Sequence, residues 1–383
     1  MRVLRAERCS VWLLSPEADE LVMHVSDDAP AVRVPISQGL VGACARERRA
    51  IHVADCYADP RFDPGVDRLT GFHTRCSLTL PLIDHLDVLI GVVQVLNPAR
   101  ADFDESDALL ARALSAQCAI ALTRSRLTTQ ALEAERMREG LALARTMQAS
   151  TLPKVLPTVA GYELHTHFQP ADQTGGDTFE LAPVGSQVLV MLADAAGHGI
   201  GPALSVMQLH AMVRVAFRMS DDLSTVFRQV NDQLHDMLPD GHFITAFIGL
   251  LDPATHRLRF LSGGQAPILH VRAAQGDVIS LGATSFPMGA MPIERLRPPV
   301  ELTLLPGDLL VLLSDGIYEA ESSTGELFGR KRVQGIVQAG GSKPLHDIAV
   351  QLLEAVNAHT EGAAQGDDIT MVLLRHESVT FLE

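Results

Sequence analysis

The sequence predicts an α+β chain of two domains joined by a helix, and three observations carry that prediction. Its 383 residues exceed the usual size of one domain. From Asp104 to Ser150 it reads as a single helix without proline, dividing two segments that alternate strand-like runs with turns. Composition also changes across that helix: all five cysteines (Cys9, Cys44, Cys56, Cys76 and Cys118) precede residue 124, whereas residues 151–383 hold 26 acidic and 14 basic side chains and so most of the net charge of −15.

Such an acidic field disfavours nucleic acid and suits divalent cations or a basic partner surface. The cysteines are odd in number and lack CxxC or zinc-like spacing, so they read as reduced, mostly buried thiols. The N-terminus, MRVLRAERCSVWLL, interrupts its apolar residues with Arg2, Arg5, Glu7 and Arg8, unlike a secretory signal. No apolar run reads as approaching the ~20 residues of a membrane span. The expectation is a soluble, cytoplasmic protein with no nucleic-acid or membrane partner.

In chain order, SVWLL (10–14) and VLIGVVQVL (88–96) read as strands and 105–124 as a helix. Between the strands lies DCYADPRFDPGVDRLTGFHTR (55–75), polar and rich in turn residues, which suits a loop or short helix over a pocket. Along the central helix Ile120, Leu127, Ala134 and Leu141 recur every seven residues, with Met137 and Ala144 three residues after the last two. That spacing predicts a heptad seam and a homodimer, although Gly140 and the small residues weaken it. After Pro153 and Pro157 come strand-like runs at 187–194, 242–252, 257–264, 307–316 and 367–374, with helical patterns near 201–218, 222–238 and 344–359. A β-rich core flanked by helices follows. The expected boundaries are a domain over 1–124, a connector over 125–150, a second domain over 151–376 and a tail over 377–383.

Chemistry is concentrated in acids at strand ends. Asp177 follows Gly-Gly; Asp194 ends VLVMLA and precedes AAGHG; Asp315 ends LLVLLS and precedes Gly316; Asp367 and Asp368 open ITMVLL. One such acid is ordinary turn chemistry. Four equivalent settings, far apart in sequence, predict one shared cleft. Carboxylates gathered there need a counter-charge, which Mn²⁺ or Mg²⁺ supplies through oxygen ligands. Two such ions would activate water and screen a phosphate, a setting for phosphomonoester hydrolysis. GGDTFE (175–180) also invites comparison with the diguanylate cyclase signature, but Thr178 stands where that signature needs a carboxylate, and the remaining acids lie downstream.

The blocks ARTMQASTLP (144–153), PADQTGGDTFE (170–180), LADAAGHGIGPAL (192–204), FITAFIGLLD (243–252), PGDLLVLLSDGIYEA (306–320) and GDDITMVLL (366–374) resemble, in order, the SpoIIE-type branch of the PPM metal-dependent serine/threonine phosphatases. The resemblance implies an α-β-β-α sandwich. It also implies two metal ions bridged by Asp194, with the carbonyl of Ala195 and the carboxylates of Asp177, Asp315 and Asp367 completing the shell, and Asp368 orienting ligand water. The implied substrate is a phosphoserine or phosphothreonine on an anti-sigma-factor antagonist. Gln265, in GGQAPIL (263–269), stands where the branch commonly has histidine and is expected to alter substrate contacts or rate. His198 is open to two readings, an acid catalyst or a turn-stabilising residue.

Residues 1–124 resemble a GAF domain through RCSVWLL (8–14), 34–63, TGFHTRCSLTLPL (70–82) and GVVQVLN (91–97). The resemblance implies a central antiparallel sheet with helices and a sensor that regulates the phosphatase through the 125–150 helix. Of that family's NKFDE pattern, Asn97, Phe103 and Asp107 remain, while Pro98 and Ala108 replace the lysine and glutamate, so the family's lysine–aspartate pair is expected to be absent. Arg33, Phe72 and Ser77 are candidate lining for a small-molecule pocket. The chain starts close to its first strand, so the helix that usually precedes a GAF sheet is expected to be missing or replaced by a partner. The rival functional class is a phosphatase-like binding module without turnover.

Overall fold

The structure, a computed structural model, describes residues 4–15, 18–24, 32–197, 199–363 and 365–378. The chain forms two units, 1–136 and 137–383, divided within the long helix.

The first unit comprises β1 (Ala6–Ser15), β2 (Glu20–His24), β3 (Arg33–Pro35), α1 (Gly39–Glu47), β4 (Ile51–Val53), α2 (Gly65–Thr70), β5 (Ser77–Ile83), β6 (Leu89–Pro98) and the start of α3 (Glu105–Thr151). Its six strands form one antiparallel sheet in the order β3-β2-β1-β6-β5-β4. Trp12, Leu21, Leu40, Cys44 and Val92 form a core on one face, beneath α1. Leu78, Leu80, Leu82, Val93 and Phe103 meet Ala111 and Ala119 of α3 on the other. With apolar cores on both faces, the strands read as near-continuous apolar runs.

The polar stretch 55–75 forms a turn at Cys56–Ala58 and the short α2. It lies over a cavity of about 40 Å³ lined by Trp12, Phe62, Val66, Phe72 and Gln94, room for only a few waters. Phe72 is therefore placed as expected, but Arg33 and Ser77 are not among the lining residues. Arg33 is exposed and pairs with Glu20; Ser77 is buried in hydrogen bonds with Thr79 and Gln94. The cation expected to be missing is supplied from elsewhere: Arg100, two residues beyond Pro98, pairs with Asp107. All five cysteines are free thiols.

The second unit adds β7 (Tyr162–Gln169), β8 (Asp177–Val184), β9 (Gln187–Ala195), α4 (Ile200–Met219), α5 (Leu223–Met237), β10 (Ile244–Asp252), β11 (Arg257–Gly263), β12 (Ile268–Arg272), β13 (Asp277–Leu281), β14 (Val300–Thr303), β15 (Leu309–Leu313), α6 (Asp315–Tyr318), α7 (Arg330–Ala339), α8 (Leu345–His359) and β16 (Ile369–His376). Two five-stranded antiparallel sheets, β14-β11-β10-β9-β8 and β13-β12-β15-β16-β7, pack face to face. Phe179, Val190, Leu192, Phe247 and Phe260 of the first meet Leu310, Leu312, Val372 and Leu374 of the second. Strand periodicity explains the layering: in β9, Val188, Val190 and Leu192 enter that central core, whereas Leu189, Met191 and Ala193 turn out beneath α4 and α5. In β16, Met371 and Leu373 likewise face α7 and α8. The result is the expected α-β-β-α sandwich.

Contrary to the sequence reading, α4 has the length and hydropathy of a membrane span. Its Val206, Leu209, Val213 and Phe217 nonetheless belong to the core over β9 and β10.

Candidate metal centre

Strands from both sheets end together. β8 starts at Asp177, which is paired in register with Asp194 near the end of β9. In the facing sheet, Asp315 lies just beyond β15, and Asp367 and Asp368 lie just before β16, its neighbour. Burial grades across the group: Asp177 is 1 % exposed, Asp194 and Asp367 are half-buried, and Asp315 is exposed at the rim. A cleft of about 690 Å³ opens beside Asp367, lined also by Gln169, Gly316, Glu319 and Gln365.

The electrostatics show that these acids share one field. Burial, then Asp194, pushes the Asp177 carboxyl well above the carboxylate range. Burial, followed by Asp315, Asp367 and Asp368, pushes Asp194 up to about 8. Asp315 is raised by partial burial and by the charges of Asp367 and Glu319. The strongest charge effects on all three come from other acids, with no lysine or arginine among them. An all-oxygen, crowded, negative donor set fits a hard divalent cation.

Asp368 holds backbone in place. It is 2 % exposed; its Oδ1 accepts from the Ala171 N–H at 2.7 Å and its Oδ2 from the Asp177 N–H at 3.3 Å. It thus cradles the turn that carries Gly-Gly-Asp. The glycines follow from that cradle. A Cβ on Gly175 would lie 2.3 Å from Asp368 Oδ2, and one on Gly316 would lie 2.2 Å from the Asp368 carbonyl oxygen. They admit an aspartate from another strand rather than a ligand. Thr370 completes the arrangement by donating its hydroxyl to Asp177 Oδ2.

Gln148, near the C-terminus of α3, is 3 % exposed and clasps the same turn. Its Nε2 donates to the Gly175 carbonyl at 2.6 Å, and its Oε1 accepts from the Gly175 N–H at 3.1 Å. Sequence reasoning included ARTMQASTLP among the blocks of the resemblance but did not single out this residue, since a glutamine in a helix has no distinctive spacing. Glu180 was missed likewise. It is buried and paired with His210 at 2.9 Å and Arg214 at 3.3 Å, fastening β8 to α4.

Gln265 is buried and turns inward. Its Nε2 donates to the Leu313 carbonyl at 2.9 Å and its Oε1 accepts from the Thr245 hydroxyl at 3.0 Å, linking the two sheets beside the site. Ala195 is buried at the end of β9, its N–H donating to the Gly176 carbonyl at 2.9 Å. His198 lies outside the described residues.

Comparison with known proteins agrees with this fold. Residues 185–377 match the family model described as stage II sporulation protein E (SpoIIE), and residues 1–122 match that of the GAF domain. Protein IcfG of Synechocystis is 25 % identical over 260 residues, 61 % of this chain; the chain spans only 40 % of that relative's length. The SiaA PP2C domain of Pseudomonas aeruginosa superposes with a TM-score of 0.57 at 22 % identity, covering 63 % of this chain and 98 % of its own. The PP2C phosphatase domain of SpoIIE from Bacillus subtilis, with a fragment of its regulatory domain, gives 0.51 at 19 % identity, covering 57 % of this chain and 64 % of its own. At those identities the superpositions establish the fold. The SpoIIE match takes in half of the chain and includes Asp194, Asp315 and Asp367. The chain belongs to the SpoIIE family of PPM-type phosphatases and carries a GAF domain before its phosphatase domain.

Proposed function

We propose that this chain is a phosphoprotein phosphatase acting in the cytoplasm on phosphoserine or phosphothreonine of an anti-sigma-factor antagonist type of protein. In this reading Asp177, Asp194, Asp315, Asp367 and the Ala195 carbonyl hold two Mn²⁺ or Mg²⁺ ions. The observation that carries it is the convergence of acids from both sheets, whose strongest charge effects come from one another. When bound, such ions supply activated water and charge screening for the phosphate. The chain's own residues set the geometry. Asp368 and Gln148 hold the Gly-Gly-Asp turn, and Thr370 orients the Asp177 carboxylate.

Regulation is proposed to run from the GAF domain over 1–124 through the 125–150 helix into the domain over 151–376. The physical support is that α3 is continuous from Glu105 to Thr151 and carries Gln148, which holds Gly175, in its last turn. A ligand or partner acts only by its differential affinity for two states of that helix. Homodimerisation is proposed through the same helix, on which Ile120, Leu127 and Met137 are more than half exposed.

The deciding experiment is a Mn²⁺ titration of phosphate release from an aryl phosphate and from a phosphoserine peptide, comparing the full chain with Met147→Pro, which breaks the helix. Metal-dependent turnover in the parent chain and a shifted curve in the variant are expected. No turnover at any Mn²⁺ concentration would leave a binding module; superimposable curves would remove the helix as a switch.

A further inference from the structure

We propose that His52, Cys76 and Asp102 form a second metal site, on the GAF unit, for a borderline-soft transition-metal dication of which Zn²⁺ is the type. The three residues are far apart in the chain and arrive from three elements: His52 from the middle of β4, Cys76 from the residue before β5, and Asp102 from the turn that leads into α3. One nitrogen, one sulfur and one carboxylate oxygen lie within 4.8 Å of one another.

The geometry is close to that of a coordination shell. His52 Nε2 is 2.6 Å and Cys76 Sγ is 3.1 Å from the same Asp102 Oδ1. A tetrahedral ion with metal–ligand distances of about 2.0–2.3 Å sets its donors ~3.3–3.7 Å apart, so the group opens by less than about 1 Å on each of these edges to admit one. Two of the three side chains are free to make that movement, because His52 and Asp102 are 40 % and 43 % exposed. Cys76, 1 % exposed, is the fixed floor. Its backbone is held by Asn97, whose Oδ1 accepts from the N–H groups of Arg75 and Cys76. The neighbouring Arg75 is paired with Glu7 at 2.8 Å.

The donor set selects the metal. Thiolate and imidazole favour zinc-like ions over Mg²⁺ or Mn²⁺, so this site and the all-oxygen centre sort different metals. On binding, the Cys76 thiol proton leaves to solvent, His52 gives the Nε2 lone pair of its neutral ring, and the Asp102 carboxylate exchanges its hydrogen-bond donors for the ion. A bound ion would tie the start of α3 to β4 and β5.

The test is Co²⁺ titration of the metal-free full chain, followed by its thiolate-to-cobalt charge-transfer absorption. The oxygen centre contains no cysteine and cannot produce that band. Expected are one band-forming Co²⁺ per chain, displaced by one equivalent of Zn²⁺, with the band preserved in Asp194→Asn and in Cys9→Ser. Cys76→Ser abolishes it, and His52→Gln weakens cobalt affinity by at least about tenfold. His52 is a surface side chain, so that variant serves even where Cys76→Ser fails to fold. Absence of the band in the parent chain, its survival in Cys76→Ser, or unchanged affinity in His52→Gln overturns the proposal.

Discussion

Strand β15 has an aspartate at each end, and the two are treated oppositely. Asp308, immediately before it, is 1 % exposed and fully engaged: its oxygens accept from the Ala273 N–H at 2.9 Å and the Leu305 N–H at 3.0 Å, and His270 Nε2 lies 2.9 Å away. Asp315, beyond the other end, is raised by partial burial and then by the like charges of Asp367 and Glu319. Both read in the sequence as an acid at a strand end beside glycine, Gly307 or Gly316. An acid that the protein satisfies is part of the fold; an acid set against other acids requires a cation from outside.

The largest expected effect separates an acid set against other acids, such as Asp194 of β9, from one that the protein satisfies. Asp194→Asn should lower Mn²⁺-dependent phosphate release by at least ~100-fold while the chain stays folded, since removing one negative ligand weakens a shared metal set. Undiminished turnover would break the comparison. Asp308→Ala should do the reverse. It strands two buried N–H groups and His270, costing about 2–4 kcal/mol of stability, with kcat for the folded enzyme close to the parent's. Urea unfolding and kinetics on the same samples check it, and a selective loss of kcat would refute the assignment of Asp308 to the fold.

Gln148→Ala is expected to be intermediate. It leaves the Gly175 carbonyl and N–H without their partner at a cost of about 1–3 kcal/mol, and should raise the Mn²⁺ concentration for half-activity roughly tenfold. An unchanged midpoint would mean that Asp368 alone holds the turn.

A pH experiment sharpens the contrast further. Asp194 is raised to about 8 in the folded chain, against ~3.9 unfolded, so between those values the folded state binds more protons. Its contribution is fully present below pH 4 and is lost as pH rises toward 8. In chelator, thermal stability of the parent chain should therefore fall over that window more steeply than that of Asp194→Asn, and saturating Mn²⁺ should flatten it. Parallel curves in chelator would show that Asp194 is not strained by its neighbours. The smallest effect on chemistry is expected from Leu127→Asp with Leu141→Asp, which should halve the mass in solution by placing charges in a desolvated seam; a monomeric parent chain would remove the seam.

Periodicity alone located the long helix, the strands β1, β6, β9, β10, β11, β15 and β16, and the helices α4, α5 and α8, because each has a sustained apolar pattern. Among the strands it missed are the three-residue β3 and β4, too short to show a period, and β7 (YELHTHFQ), whose half-buried His165 and His167 dilute its apolar pattern. Strand-end settings singled out Asp177, Asp194, Asp315 and Asp367, and the family order of the blocks supplied the sandwich. What the residues could not disclose was partnership. Asp308 and Asp368 turn out to be structural because backbone N–H groups from distant loops reach them. Gln148 matters because α3 ends against Gly175, and Arg100 replaces a lysine lost two positions earlier. The group formed by His52, Cys76 and Asp102 has no local spacing to betray it. Residue type and strand position are local properties and are written in the chain; whether a buried charge is satisfied depends on groups brought close only by the tertiary fold.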